Sequence, residues 1–234
     1  MQILSRDSLL LGGVSGIKEH RLVTDSRIFG RHKEPQTWEG LGCMVYLADA
    51  QYQPKGESGM HPHSEIDVIS VIVKGRVCHE GSLEHGKDLA AGDVQVQRAG
   101  GEGFEHNEIN PDNCKNRMLQ VWVLPEVKGQ RAAYKFYRPK LDGMTRIYGG
   151  DESQSETFSS PTVIDIVHLQ TSERMTLTGK QLSYVITGKG TFTEPHVNGE
   201  KCMHLAEEGD LVHSQNTTII AKQNLHMLVV SQQT

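Results

Sequence analysis

The two halves of this 234-residue chain are written in one pattern. The first contains VISVIVKGRV and then LAAGDVQVQRAG; the second contains QLSYVITGKGTF and then LAEEGDLVHSQNTTIIA. Each reads as an apolar run, a glycine turn, a second run, and a Gly-Asp turn feeding another run. Glycine supplies the positive φ of a tight hairpin, and an adjacent Asp bonds its own backbone, so Gly75, Gly92-Asp93, Gly188 and Gly209-Asp210 mark corners. The repeat implies a duplicated jelly roll. Strands are expected at Met44 to Leu47, Val68 to Val73, Val94 to Gln97 and Leu119 to Leu124. The second half offers Val163 to Leu169, Leu182 to Ile186, Leu211 to His213, Thr217 to Ile220 and Met227 to Val230. No long segment carries a helical period. The expected organisation is an all-β chain with one unit over 1–125, a connecting segment over 126–160 and a second unit over 161–234. Within the connection, DESQSETFSSP reads as a polar surface loop.

Composition narrows the function classes. Hydrophobic residues are 36% and charged residues 23% of the chain, the balance of a soluble globular protein. The apolar patch at Ile3, Leu4 and Leu9 to Leu11 is broken by Arg6 and Asp7, so neither a signal peptide nor a membrane span is expected, and the cytoplasm is the expected compartment. Cys43, Cys78, Cys114 and Cys202 form no CxxC pair and are read as free thiols. A net charge of −5 gives no basic face for a nucleic acid. The local exception is a run of Lys128, Arg131, Lys135, Arg138, Lys140 and Arg146 against a single acid, Asp142; it is read as a solvated face.

The chemistry lies in GMHPHSEID and, further on, GGEGFEHNEINP. His61 and His63 stand two apart, which in a strand puts both imidazoles on one face, about 6 to 7 Å apart along the chain. His106 and Glu108 repeat that spacing. Two neighbouring strands, each offering an i, i+2 pair, would supply four ligands. Three imidazoles and a carboxylate suit iron, copper, nickel, manganese or zinc better than magnesium or calcium, which prefer oxygen shells. His20, His32, His79, His85, His168, His196, His204, His213 and His226 lack an equally spaced partner and are read as solvated or structural. In the second half the equivalent positions hold Met175, Leu177, Thr218 and Ile220, none of which replaces histidine as a ligand.

The run from GMHPHSEID through NEINP, with MLQVWVLPE after it, closely resembles the N-terminal cupin of pirin and pirin-like bacterial proteins over roughly the first 125 residues. The resemblance implies a bicupin of two tandem jelly-roll barrels. It implies one divalent transition metal on His61, His63, His106 and Glu108, with Fe(II) first and Cu, Ni, Mn or Zn as alternatives. Asp67 falls near the acidic position that other cupins use as a ligand and is assigned outside the metal's direct contacts. Relatives known as quercetin 2,3-dioxygenases open a flavonol's central ring with loss of carbon monoxide. A small aromatic substrate and dioxygen are thus the implied partners, with Glu108 as the catalytic base. Val71, Val73, Val94, Val96 and Val121 are candidates for the barrel lining. Ser64, Glu65 and Glu102 stand where the family often carries Arg or other basic or neutral residues, which implies a more negative mouth. The alternative activity is non-enzymatic: an iron-dependent redox sensor that binds a transcription regulator or metabolic enzyme, with the stretch from Lys128 to Arg146 as its surface.

Overall fold

The computed structural model describes residues 1–14, 16–195 and 201–233. Its strands are β1 (Gln2–Ser5), β2 (Leu11–Gly12), β3 (Ile17–Thr24), β4 (Met44–Tyr52), β5 (His61–His63), β6 (Asp67–Lys74), β7 (Arg76–Gly81), β8 (Lys87–Ala90), β9 (Val94–Arg98), β10 (Phe104–Ile109), β11 (Arg117–Val123) and β12 (Ala133–Tyr137). They continue with β13 (Gly143–Gly150), β14 (Ser160–Leu169), β15 (Arg174–Thr187), β16 (Lys189–Pro195), β17 (Lys201–Glu207), β18 (Asp210–Ala221) and β19 (Leu225–Gln232). A single helical turn, α1 (Ser26–Phe29), starts at Asp25, whose side chain accepts from the Arg27 amide. The all-β expectation holds.

The chain divides into two compact units, Leu9–Arg138 and Met1–Ser8 with Pro139–Thr234. In the first, a seven-stranded sheet of order β12-β9-β6-β11-β4-β3-β2 faces a four-stranded sheet of order β5-β10-β7-β8. Tyr52, Ile72 and Met118 of the large sheet pack on Val77 and Leu89 of the small one. Central strand β6 is buried on both faces from Asp67 to Ile72, which is why VISVIV reads as a continuous apolar run rather than an alternating one. A buried ion pair ties β4 to β11: Arg117 donates from Nε and Nη2 to Asp49, with contacts of 2.7 to 3.1 Å.

The second unit is one curled sheet of order β13-β14-β19-β15-β18-β16-β17, with β1 also pairing β18. Val185, Phe192, Val212, Ile219, Met227 and Val229 lie in its core. The runs Leu211 to His213 and Thr217 to Ile220 are parts of one strand, β18, not two. The register between β15 and β18 slips between Leu177 and Lys180, the irregularity that lets long strands bend around a core. The expected connection at 126–160 carries β12, the edge of one sheet, and β13, the edge of another. Its polar loop is anchored by Thr157 and Phe158, both buried. Strand β1 pairs with β18, and residues Met1–Ser8 belong to the C-terminal rather than the N-terminal unit. Neither difference was readable, because strand pairing between distant segments has no signature in local composition.

All four glycine corners have positive φ. At Gly188 (φ +83°) an added Cβ would also lie 2.0 Å from the Asn224 carbonyl oxygen. Gly188→Ala is therefore expected to destabilise the C-terminal unit by about 1 to 3 kcal/mol from backbone conformation alone, with the contact adding to this. A thermal midpoint unchanged from wild type would contradict that expectation.

Candidate metal centre

The small sheet of the N-terminal unit brings His61, His63 and His106 to one place. Antiparallel pairing of β5 with β10 sets His106 directly opposite His61, and Phe104 opposite His63. The sharp approach of the two strands requires Gly103, where a Cβ would stand 2.9 Å from the His63 carbonyl oxygen. The imidazole centroids of His61, His63 and His106 lie 4.6 to 5.0 Å apart, and one nitrogen from each falls within 4.8 Å of the others.

A hydrogen bond fixes which nitrogen of His61 faces inward. His61 Nδ1–H donates to the Gly59 carbonyl at 2.8 Å, leaving a lone pair on Nε2. His63 Nε2 is buried and without a partner among the described residues. Burial, reinforced by the neighbouring imidazoles, pushes the pKa values of His63 and His106 down to about 3. Both rings are therefore neutral near pH 7, the form that binds a metal.

Glu108 is 1% exposed and held on both oxygens. Ser70 Oγ (2.6 Å) and Gln95 Nε2 (2.8 Å) donate to Oε1, and Tyr52 Oη (3.1 Å) donates to Oε2. Burial, then the Glu108 charge, pushes the Tyr52 phenol well above its usual pKa, so it remains a donor. Glu108 does not fall in one group with all three histidines. It groups with His106 and with His79, so the four expected ligands belong to two overlapping sets that share His106.

His79 was grouped with the unremarkable histidines, and the structure places it otherwise. It sits opposite Glu108 in the β7–β10 register and is fully buried. Its Nε2–H donates to the Leu83 carbonyl at 3.0 Å, while Nδ1 is buried with no partner among the described residues. No spacing rule along the chain finds this residue, since the register alone brings it to Glu108. Of the others, His168 and His226 stack across β14 and β19 with centroids 4.0 Å apart, and His196 lies outside the described residues.

A cavity of about 270 Å³ opens beside the histidines, lined by residues that include Tyr46, Tyr52, Gln120 and Trp122. Tyr46 and Trp122 stack at 4.4 Å, and Phe29 from α1 stacks on both. At the rim Arg21 pairs with Glu19 and Glu34, while Tyr46 Oη donates to Glu19. None of Val71, Val73, Val94, Val96 and Val121 lines this cavity. The residues beside them do: Ser70, Gln95 and Gln97 reach the ligand cluster, and Gln120 and Trp122 line the space. Side chains alternate across a strand, so the valines occupy the opposite face of the same sheet.

Asp67 is fully buried and pairs with Arg98 at 3.3 Å. Glu65 and Glu102 accept from the backbone amides of Gly129 and Ala132, fastening the segment that leads into β12 rather than charging the cavity. In the basic stretch, Arg138 pairs with Asp93 and Arg146 with Asp165. The four cysteines are free. Among the described residues of the C-terminal unit, no three metal-ligating side chains converge, and among all the described residues no helix is long and apolar enough to cross a membrane.

Comparison with known proteins agrees with this architecture. Residues 20–123 match the Pirin family model. The chain is 31% identical over 108 residues to quercetin 2,3-dioxygenase of Escherichia coli K12, covering 46% of each chain. It is 33% identical over 88 residues to a pirin-like protein of Caulobacter vibrioides, covering 38% of each. These matches span less than half the length of the curated relatives. The fold likeness runs further: the crystal structure of the bacterial pirin YhhW of Escherichia coli in complex with nickel(II) superposes with a TM-score of 0.81 at 18% identity, over 99% of this chain and 98% of that one. Residues 20–123 therefore resemble the Pirin family, and the chain has the fold of that bacterial pirin along its length.

Proposed function

We propose that this protein holds one divalent transition metal on His61, His63, His106 and Glu108 and acts as a dioxygenase on a flavonol-type aromatic substrate. The observation that carries the reading is the convergence of three imidazoles, with His61 Nε2 facing His106 and the buried His63 Nε2 meeting no partner among the described residues. A cation is the ligand such a cluster accommodates. Iron is first on family resemblance. The fold relative in complex with nickel(II) keeps nickel among the alternatives.

When bound, the metal supplies a Lewis acid that lowers the pKa of a substrate hydroxyl. Glu108 accepts the released proton, and the donors Tyr52, Ser70 and Gln95 hold its carboxylate in place for that transfer. The Tyr46–Trp122 stack provides a flat wall for the ring. At about 270 Å³ the cavity is small beside the roughly 300–1,000 Å³ of sites that enclose a drug-sized ligand. Only the metal-binding end of a flavonol would be inside. The overall reaction consumes a flavonol and dioxygen and releases a ring-opened product and carbon monoxide. The regulator reading ranks second, because Arg138 and Arg146 of its candidate surface are engaged by Asp93 and Asp165.

The test is metal content by mass spectrometry on untagged protein, wild type against His61→Ala/His63→Ala, followed by oxygen uptake with quercetin. About one transition metal per chain, lost in the variant and matched by metal-dependent uptake, supports the proposal. Bound metal without uptake moves the assignment to another substrate or to regulation. No metal in either sample after reconstitution ends it.

A further inference from the structure

Gln97 is fully buried on β9 and reaches toward the one histidine shared by both ligand sets. Its Nε2 donates to His106 Nδ1 at 3.1 Å, while its Oε1 is buried with no partner among the described residues. A neutral imidazole carries one proton, so with Nδ1 accepting, the proton sits on Nε2. From there it donates to His61 Nε2, 3.1 Å away, which is an acceptor because His61 Nδ1–H is committed to Gly59. The metal-free cluster is thus closed by a His106-to-His61 hydrogen bond, and its cost is the orphaned amide oxygen of Gln97.

That arrangement cannot receive an ion through His106 Nε2, because the nitrogen is protonated. To free the lone pair, the proton must move to Nδ1 and find an acceptor there. Turning the Gln97 amide by half a rotation brings Oε1 to Nδ1 and satisfies the orphaned oxygen in the same movement. We propose that Gln97 is a positioning residue that selects the His106 tautomer: its amide nitrogen supports the closed, metal-free form, and its amide oxygen supports the metal-binding form. Glutamine serves both states because its side chain ends in a donor and an acceptor of nearly equal shape. A carboxylate would hold only the second state, and a thioether neither. The inference rests on the metal reading above and adds to it a residue that touches neither ion nor substrate.

The test uses full-length protein with 15N-labelled histidine, and Zn(II) as a diamagnetic probe. In the metal-free wild type, nuclear magnetic resonance should place the His106 proton on Nε2, and after Zn(II) addition on Nδ1. Competition with a chromophoric chelator should show Gln97→Met binding Zn(II) about 10- to 100-fold more weakly, with Gln97→Glu at least as tight as wild type. Wild-type binding undiminished in Gln97→Met, or a His106 proton on Nδ1 in both states, overturns this inference alone. No Zn(II) binding by wild type overturns the metal reading and this inference with it. Should Gln97→Met not fold, the wild-type tautomers and the Gln97→Glu affinity decide the matter.

Discussion

Glu108→Gln is expected to reduce metal-dependent oxygen uptake by about 10²- to 10⁴-fold, the usual contribution of a positioned general base, in a protein that still folds. The amide has the carboxylate's shape and can still accept from Tyr52 Oη. Its new NH2 group must meet Ser70 Oγ, which can rotate to accept, and Gln95 Nε2, which cannot. Gln95 would have to turn its amide and give up the bond that its Oε1 accepts from Tyr134, a local cost of about 1 to 3 kcal/mol. Metal content separates the two roles assigned to Glu108. Activity lost with the metal retained identifies the base, and activity lost together with the metal identifies a ligand. A variant with wild-type turnover would remove Glu108 from the mechanism.

Arg117→Met should destabilise the N-terminal unit by about 3 to 5 kcal/mol, because it leaves the Asp49 carboxylate charged, buried and without its guanidinium. The pair is almost wholly enclosed, Asp49 at 3% and Arg117 at 8% exposure, and it joins two central strands of the large sheet. Replacing both residues, Asp49→Leu with Arg117→Met, should recover most of the loss, since two apolar side chains have no charge to desolvate. Urea denaturation of the wild type, the single variant and the double variant measures this. A single variant as stable as wild type would mean that water or another group replaces Arg117. A double variant no better than the single would mean that packing, not charge, sets the penalty.

The positions of the strands were legible because they depend on local composition. Gly75, Gly92, Gly188 and Gly209 all sit at positive φ, where the turn pattern put them, and the apolar runs between them are strands. The pairs His61/His63 and His106/Glu108 were legible for a related reason. A spacing of two in a strand sends both side chains to one face whatever the strand pairs with.

What could not be read was which face points inward, and which residue stands across from which. VQVQR on β9 offers valines on one side and Gln95 and Gln97 on the other. Ordinary hydrophobic logic turns the valines toward the cavity, whereas the structure turns the glutamines toward His106 and Glu108. Both faces of the strand are buried, so hydrophobicity carries no directional signal there, and a one-residue change of phase exchanges the whole set. His79 escaped notice in the same way: only the β7–β10 register sets it against Glu108. The sequence by itself determined a duplicated β architecture and the same-face pairs His61/His63 and His106/Glu108, because both follow from the local geometry of an extended chain. Tertiary structure alone decided what surrounds those pairs, since Tyr52, Ser70, His79, Gln95 and Gln97 come from four different strands and meet only when two sheets face each other.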